Sequence, residues 1–200
     1  MVRKVQSKVR DLVEQGLELQ ELLAAQGWEF CFIGGIAVQR WSEPRFTKDM
    51  DLTVLTGYGP EEKFARFLLS HFKARIHDPI EFAIYNRVVL LQNEHGTGID
   101  ISLGALPFEE DAVRRSTIQK FVPGISLRLC TAEDLIIMKS FAARPLDWHD
   151  VRGVLVRQGT KTLDWPYING HLAVLAELKE DPEIVTQLQN LRDEVAGSEP

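Results

Sequence analysis

Two hundred residues with 44% apolar and 26% charged side chains make a chain large enough to close its own core, and exclude disordered, collagen-like and fibrous classes. Lys and Arg number 23 against 29 Asp and Glu, a net charge of −6, so no broad cationic surface exists for gripping a polynucleotide and any such contact must be local. Cys31 and Cys130 sit among apolar neighbours and read as buried thiols, not as a disulfide framework. The amino terminus is charged from the start, and no apolar run approaches the roughly 18 residues needed to span a bilayer; this predicts a soluble, cytoplasmic protein without membrane contact.

In chain order, the first 26 residues place Val5, Val9, Leu12, Val13, Leu17, Leu22 and Leu23 at near-helical spacing and predict an amphipathic helix ended by Gly27. Residues 29–33 (EFCFI) form a short apolar strand, Gly34-Gly35 a tight turn, and IAVQRW a helix with no breaker until Pro44. Residues 49–55 (DMDLTVL) alternate strictly, with Met50, Leu52 and Val54 on one face and Asp49, Asp51 and Thr53 on the other, the pattern of a half-buried strand. Pro60 opens a helix carrying Phe64, Phe67, Leu68 and Phe72 at helical intervals. Three β-rich runs follow, at 80–85, 87–92 and 98–103, the last two joined by a hairpin-sized turn. A polar patch (PFEEDAVRRST) and two short β-like runs, QKFV and ISLRLC, lead into a helical remainder. There Thr131 to Asp134 resembles a capping box, Pro145 bounds the first helix, and Asp147 can cap the next, whose Val151, Val154 and Leu155 face inward and whose stop is Gly159. Two further amphipathic stretches occupy 168–179 and 182–195.

The informative feature is an order: Gly34-Gly35 opening a helix, then Asp49 and Asp51 on an alternating strand, then Asp100 inside a later strand. A period of two puts Asp49 and Asp51 on one face. If the strand carrying Asp100 is a neighbour, three carboxylates converge, and bare like charges at that distance would repel; divalent cations would relieve them. Mg²⁺, two ions by this reading, suits carboxylates, water and phosphate oxygens, and no Cys or His stands at zinc spacing. Glycines in a first helical turn leave backbone N–H groups open at the positive end of the dipole, a site for phosphate. Such parts can run in-line displacement at phosphorus.

FIGGIAVQRW followed by TKDMDLTV resembles the signature of the nucleotidyltransferase superfamily that includes DNA polymerase beta, and TAEDLIIMKSFAARPLDWHDVRG resembles the carboxy-terminal motif of AbiEii-type nucleotidyltransferases, the toxin-like enzymes of type IV toxin-antitoxin systems. The similarity spans roughly residues 28–158. It implies an α/β fold, a small mixed sheet with packed helices and a carboxy-terminal helical subdomain, divided as 1–130 and 131–200. It implies that Asp49 and Asp51 hold both metals and that Asp100 helps hold the catalytic one, while Gly34 and Gly35 receive phosphate. AbiEii relatives often carry Ser where this chain has Gly35, so one hydroxyl is missing from the turn while its N–H groups remain. The resemblance also places Lys139 near the active site, facing a triphosphate; its alternative is a lysine paired with Asp147 or Asp150. Lys48 could steer phosphates, or be solvated. Arg40 and Arg45 read either as holding an acceptor or as ordinary surface charges, Asp147 and Asp150 read first as helix-start acids, and His149 reads as a helix-surface residue.

The expected activity is Mg²⁺-dependent transfer of a nucleoside monophosphate from an NTP to a hydroxyl with release of pyrophosphate. The acceptor is open between an RNA end, a protein hydroxyl and a small molecule, and a toxin role would bring an antitoxin partner. Two other readings are weighed: a non-catalytic Mg-nucleotide-binding regulatory module, and an interaction protein whose acidic cluster is incidental.

Overall fold

The computed structural model describes residues 2–45 and 47–198, with side chains described from residue 10 onward. The chain forms two compact units, one from residues 1–36 with 46–130, the other from 37–45 with 131–200. Segment 37–45, expected in the first domain, is thus grouped with the second unit.

The first unit is built on one mixed sheet of seven strands: β1 (Phe30–Phe32), β2 (Asp49–Leu55), β3 (Lys73–Ala74), β4 (Val88–Gln92), β5 (Gly98–Gly104), β6 (Thr117–Val122) and β7 (Ile125–Leu129), in the order β3-β4-β5-β2-β1-β7-β6. β2 and β5 run parallel at the centre, flanked by antiparallel pairings of β4 with β5 and β1 with β2. Alternation decides what each face does. Met50, Leu52 and Val54 of β2 and Ile99 and Ile101 of β5 are fully buried on one face, where α1 (Val2–Ala25) contributes Leu12, Leu19 and Leu23 and α3 (Glu61–His71) contributes Ala65 and Leu68. The other face carries the aspartates. Val5 and Val9, expected on the apolar stripe of α1, lie outside the described side chains.

α2 (Gly34–Trp41) follows β1 directly, as the glycine pair implied. One segment differs from expectation, and the polar patch, to which the sequence assigned no element, takes a regular form. Residues 80–85, read as a strand, lie in α4 (Pro79–Asn86). Pro79 stands in its first turn, where its fixed φ favours a helix, and Asp78 and Arg87 bound it in left-handed conformations. The inward residues are Ala83, fully buried, and Ile80, spaced by three, whereas a strand would have paired Ile80 with Ile84, which is 47% exposed. The polar patch at 107–115 is likewise a helix, α5 (Pro107–Arg115). Proline leads, Glu109 and Glu110 occupy the first turn and Arg114 and Arg115 the last, as the helix dipole favours. Glu109 Oε2 accepts the backbone N–H groups of Ala105 and Leu106, both at 2.9 Å.

The second unit holds α6 (Ala132–Ala142), α7 (Pro145–Gln158), α8 (Trp165–Leu178) and α9 (Glu183–Ala196). The capping box at Thr131 is present: its Oγ1 accepts from Asp134 N–H at 3.2 Å, and Asp134 Oδ2 accepts from Thr131 N–H at 3.0 Å. α7 is not capped by Asp147; Arg144 is its N-cap and Pro145 its first residue. Cys31 and Cys130 are both fully buried. No helix of the described residues is long and apolar enough to cross a membrane.

Because Ile101 is fully buried in a central strand, Ile101→Ala is expected to cost about 2–5 kcal/mol in a denaturant melt. Ile118→Ala, on edge strand β6 where Ile118 is 54% exposed, is expected to cost under about 0.5 kcal/mol.

Candidate functional site

The turn after β1 is pinned to β2 by backbone: Ile33 N–H donates to Asp51 O at 2.9 Å. Gly34 then takes φ +53°, and a Cβ there would overlap the Asp51 carboxylate. Gly35 N–H donates to Asp51 Oδ2 at 3.2 Å. The first turn of α2 is therefore pressed onto the second acid of the Asp-x-Asp pair, and only a glycine permits both the backbone conformation and the approach. At Gly35 a Cβ would overlap Thr47 Oγ1, so the threonine hydroxyl fills the space a side chain would need.

β2 and β5 lie in register with Asp51 opposite Asp100 and Asp49 opposite Gly98. Register partners point to the same side, so the three carboxylates share one face, on strands about 4.8 Å apart. Gly98 leaves a slot in which Asp49 Oδ1 and Arg75 Nη1 both border the missing Cβ. Asp100 is ion-paired with Arg75. Burial pushes the Asp100 carboxyl upward, Arg75 partly offsets this, and the neighbouring Asp49 charge adds to the rise.

The expected convergence is incomplete. Among the described residues no group of three His, Cys, Asp or Glu side chains closes on a common point as a metal would require. Asp51 accepts the N–H of Gly35 and Asp100 pairs with Arg75, so the two carboxylates are directed to separate partners. The donor set nonetheless suits a hard divalent ion. It is all oxygen, carried on adjacent strands of one face, and two glycines clear the space around it.

Lys139 belongs to the second unit and is 8% exposed. Its ammonium lies 2.7 Å from Asp147 Oδ1 and 2.9 Å from Asp150 Oδ2, the pairing that the sequence offered as its alternative. Arg144 Nε reaches Asp147 at 2.5 Å and Arg45 Nε reaches Asp150 at 2.6 Å. Burial pushes both carboxyls up, but hydrogen bonds and charge from Arg144 and Lys139 at Asp147, and from Arg45 and Lys139 at Asp150, outweigh it, so both titrate below the ordinary aspartate range. Asp147 and Asp150 are thus the anions of a buried ion network joining α6 to α7. Lys48 is exposed beside β2, bordering a depression of about 400 Å³ with Thr47 and His95. Arg40 lies 4.8 Å from the Trp41 ring, and exposed His149 borders a cavity of about 450 Å³ with Arg45 and Arg157. Sequence reasoning missed Arg75 and Thr47: Arg75 is brought to the motif only by strand pairing, and Thr47, inside the quoted TKDMDLTV, showed no sign of its contact with Gly35.

No family model matches the chain, and no curated protein does. Solved structures do. An antigenic nucleotidyltransferase-like protein from Paracoccidioides brasiliensis matches over 92% of this chain and 94% of its own, with a TM-score of 0.51 at 14% identity. The antibiotic-resistance factor ANT(2'')-Ia matches over 97% of this chain and 94% of its own, with a TM-score of 0.46 at 14% identity. The first likeness establishes a nucleotidyltransferase-like fold.

Gly34→Ala is expected to lose more stability than Gly124→Ala in paired thermal melts, because both replace a glycine at positive φ, at a cost of about 1–2 kcal/mol, but only residue 34 also collides with a carboxylate. Equal losses would remove the close approach of Asp51. For the ion network, depressed aspartate pKa values give stability that is complete above the unfolded value of about 3.9 and is lost as pH falls through the folded values. Helical circular dichroism is expected to fall below about pH 4, and Lys139→Met to cost about 3 kcal/mol at pH 7 by removing the cation that two buried carboxylates share and leaving each with a single arginine.

Proposed function

We propose that this chain is a Mg²⁺-dependent nucleotidyltransferase that moves a nucleoside monophosphate from an NTP to a hydroxyl and releases pyrophosphate. One observation carries the reading: Asp51 bridges the first turn of α2 and a face on which Asp49 and Asp100 also stand, so a phosphate-binding turn and a carboxylate set are adjacent. The nucleotidyltransferase-like fold of the solved structure from Paracoccidioides brasiliensis is consistent with it.

In this reading Asp49 and Asp51 hold two metal ions and Asp100 completes the catalytic one. Bound divalent cations would neutralise charge on the transferring phosphoryl group. The N–H groups at Gly34 and Gly35, the latter once Asp51 leaves it for a metal ion, and the positive end of α2 receive phosphate oxygens, and exposed Lys48, next to Asp49 in sequence, adds a steering charge. In this reading Asp100, on the face that the acceptor hydroxyl would approach, also takes that hydroxyl's proton. Lys139 is occupied by Asp147 and Asp150 and serves this reading by holding α6 against α7. The finer reading is an AbiEii-like toxin working in the cytoplasm under an antitoxin partner, with an RNA end, a protein hydroxyl or a small molecule as acceptor. It rests on the TAEDLIIMKSFAARPLDWHDVRG motif.

The test is incubation with each α-labelled NTP, Mg²⁺ and cell extract, followed by detection of labelled acceptors and pyrophosphate. Transfer is expected in the wild type, and Asp51→Asn should lower it by at least about a hundredfold with an unchanged melting temperature. Nucleotide binding by the wild type without pyrophosphate release would replace the enzyme with the regulatory module, and undiminished turnover by Asp51→Asn would remove the metal assignment.

A further inference from the structure

Arg75 stands immediately after β3, and its backbone N–H donates to Leu90 O at 3.0 Å. Leu90 is the register partner of Asp100 on β4, and Asp100 is the partner of Asp51 on β2. Arg75, Leu90, Asp100 and Asp51 therefore form one transverse row, and their side chains rise from the same face. From the outer end of that row the guanidinium spans Leu90's strand, about two strand spacings or 9.6 Å, and closes on Asp100 Oδ1. Its other nitrogen borders the Gly98 slot, where Asp49 Oδ1 also lies. Both members of the ion pair are only about one-third exposed, so water screens them incompletely.

The geometry points to Arg75 as the resident counter-cation of the carboxylate set: its guanidinium holds Asp100 when no divalent cation is bound, and it must release Asp100 before such an ion can use that carboxylate. This rests on the reading that Asp49, Asp51 and Asp100 are metal ligands, and adds to it a residue that sets the ion's affinity. The physical basis is competition. A guanidinium beside Asp100 cancels one of the three charges that would attract a divalent ion, and the ligand oxygen it occupies is one the ion would need. The free carboxylates would then bind the ion weakly alone and more firmly when phosphate oxygens supply further ligands, so cation and nucleotide load together. Arg75 is a positioning residue in this scheme, since it acts through Asp100.

The experiment titrates Mn²⁺ alone into the full chain and reads free Mn²⁺ by electron paramagnetic resonance, with no nucleotide and no turnover. Arg75→Gln is expected to bind Mn²⁺ about tenfold more tightly than the wild type, equivalent to about 1.4 kcal/mol. Arg75→Lys, which keeps the charge, should return towards wild-type affinity, and Arg75→Gln with Asp100→Asn should lose the gain. Arg75 lies in an exposed segment, so folding is expected to survive, and a circular dichroism melt checks it. Unchanged or weaker Mn²⁺ binding by Arg75→Gln, while the wild type binds and Asp51→Asn does not, overturns the assignment of Arg75 and leaves the metal reading standing. Absence of Mn²⁺ binding from both wild type and Arg75→Gln overturns both together.

Discussion

The in-register parallel pairing of β2 with β5 is the constraint on which the site depends. Asp51 faces Asp100 because Met50, Leu52 and Val54 lie beside Ile99, Ile101 and Leu103 on the opposite side of the same two strands, all of them at most 1% exposed. A slip of one residue would carry the aspartates into the core and the aliphatic side chains into water. Each buried aliphatic contributes on the order of 1.5–3 kcal/mol, so the core fixes the register far more strongly than the acids oppose it. The repulsion between carboxylates is imposed by the apolar face behind them.

That repulsion is handled differently in the two units. In the second, two buried aspartates meet one lysine and two arginines, and the surplus of positive charge pulls both pKa values down against burial. In the first, Asp100 pairs with the Arg75 guanidinium and Asp51 accepts the Gly35 N–H, and burial, with the Asp49 charge added, leaves the Asp100 carboxyl shifted upward. Three carboxylates on one face carry like charge that a bound cation would offset. The contrast separates a structural ion network from a candidate site without appeal to the residue types, which are the same in both.

Period and punctuation made much of this legible. Strict alternation gave β2 its two faces, the glycine pair gave the strand-turn-helix of β1 and α2, and Thr131 with Asp134 gave the start of α6. What failed was local where sequence signals conflict. Residues 80–85 are rich in β-formers, yet Pro79 and the packing of Ile80 and Ala83 on the core make them helical; residues 107–115 hold few apolar side chains, yet their charge polarity is that of a helix. Arg75 could not have been found by spacing, because its relation to Asp100 passes through the pairing of three strands. The Lys139 pair was legible as one of two alternatives, since Asp147 and Asp150 both lie within a helical turn or two of the Pro145 break, and the structure shows that pair.

Gly35 shows how a departure in one position is absorbed by another. A serine there would add a Cβ in the space that Thr47 Oγ1 already holds, so the two residues are sterically exclusive in their present conformations. Thr47 lies two residues before Asp49 and its hydroxyl donates to Asp49 O at 3.3 Å, which ties the threonine to the start of β2 and keeps it against the first turn of α2. Removing the side chain at 35 is therefore what lets the strand carrying the aspartates close on the turn. The hydroxyl that the glycine lacks is present at the turn all the same, brought by the chain that leads into β2, and the turn keeps its N–H groups, one of them on Asp51. The glycine pair is best understood as a contact surface for Thr47 and Asp51 as much as a flexible turn: absence of side chains at 34 and 35 is what the approach of two other side chains requires.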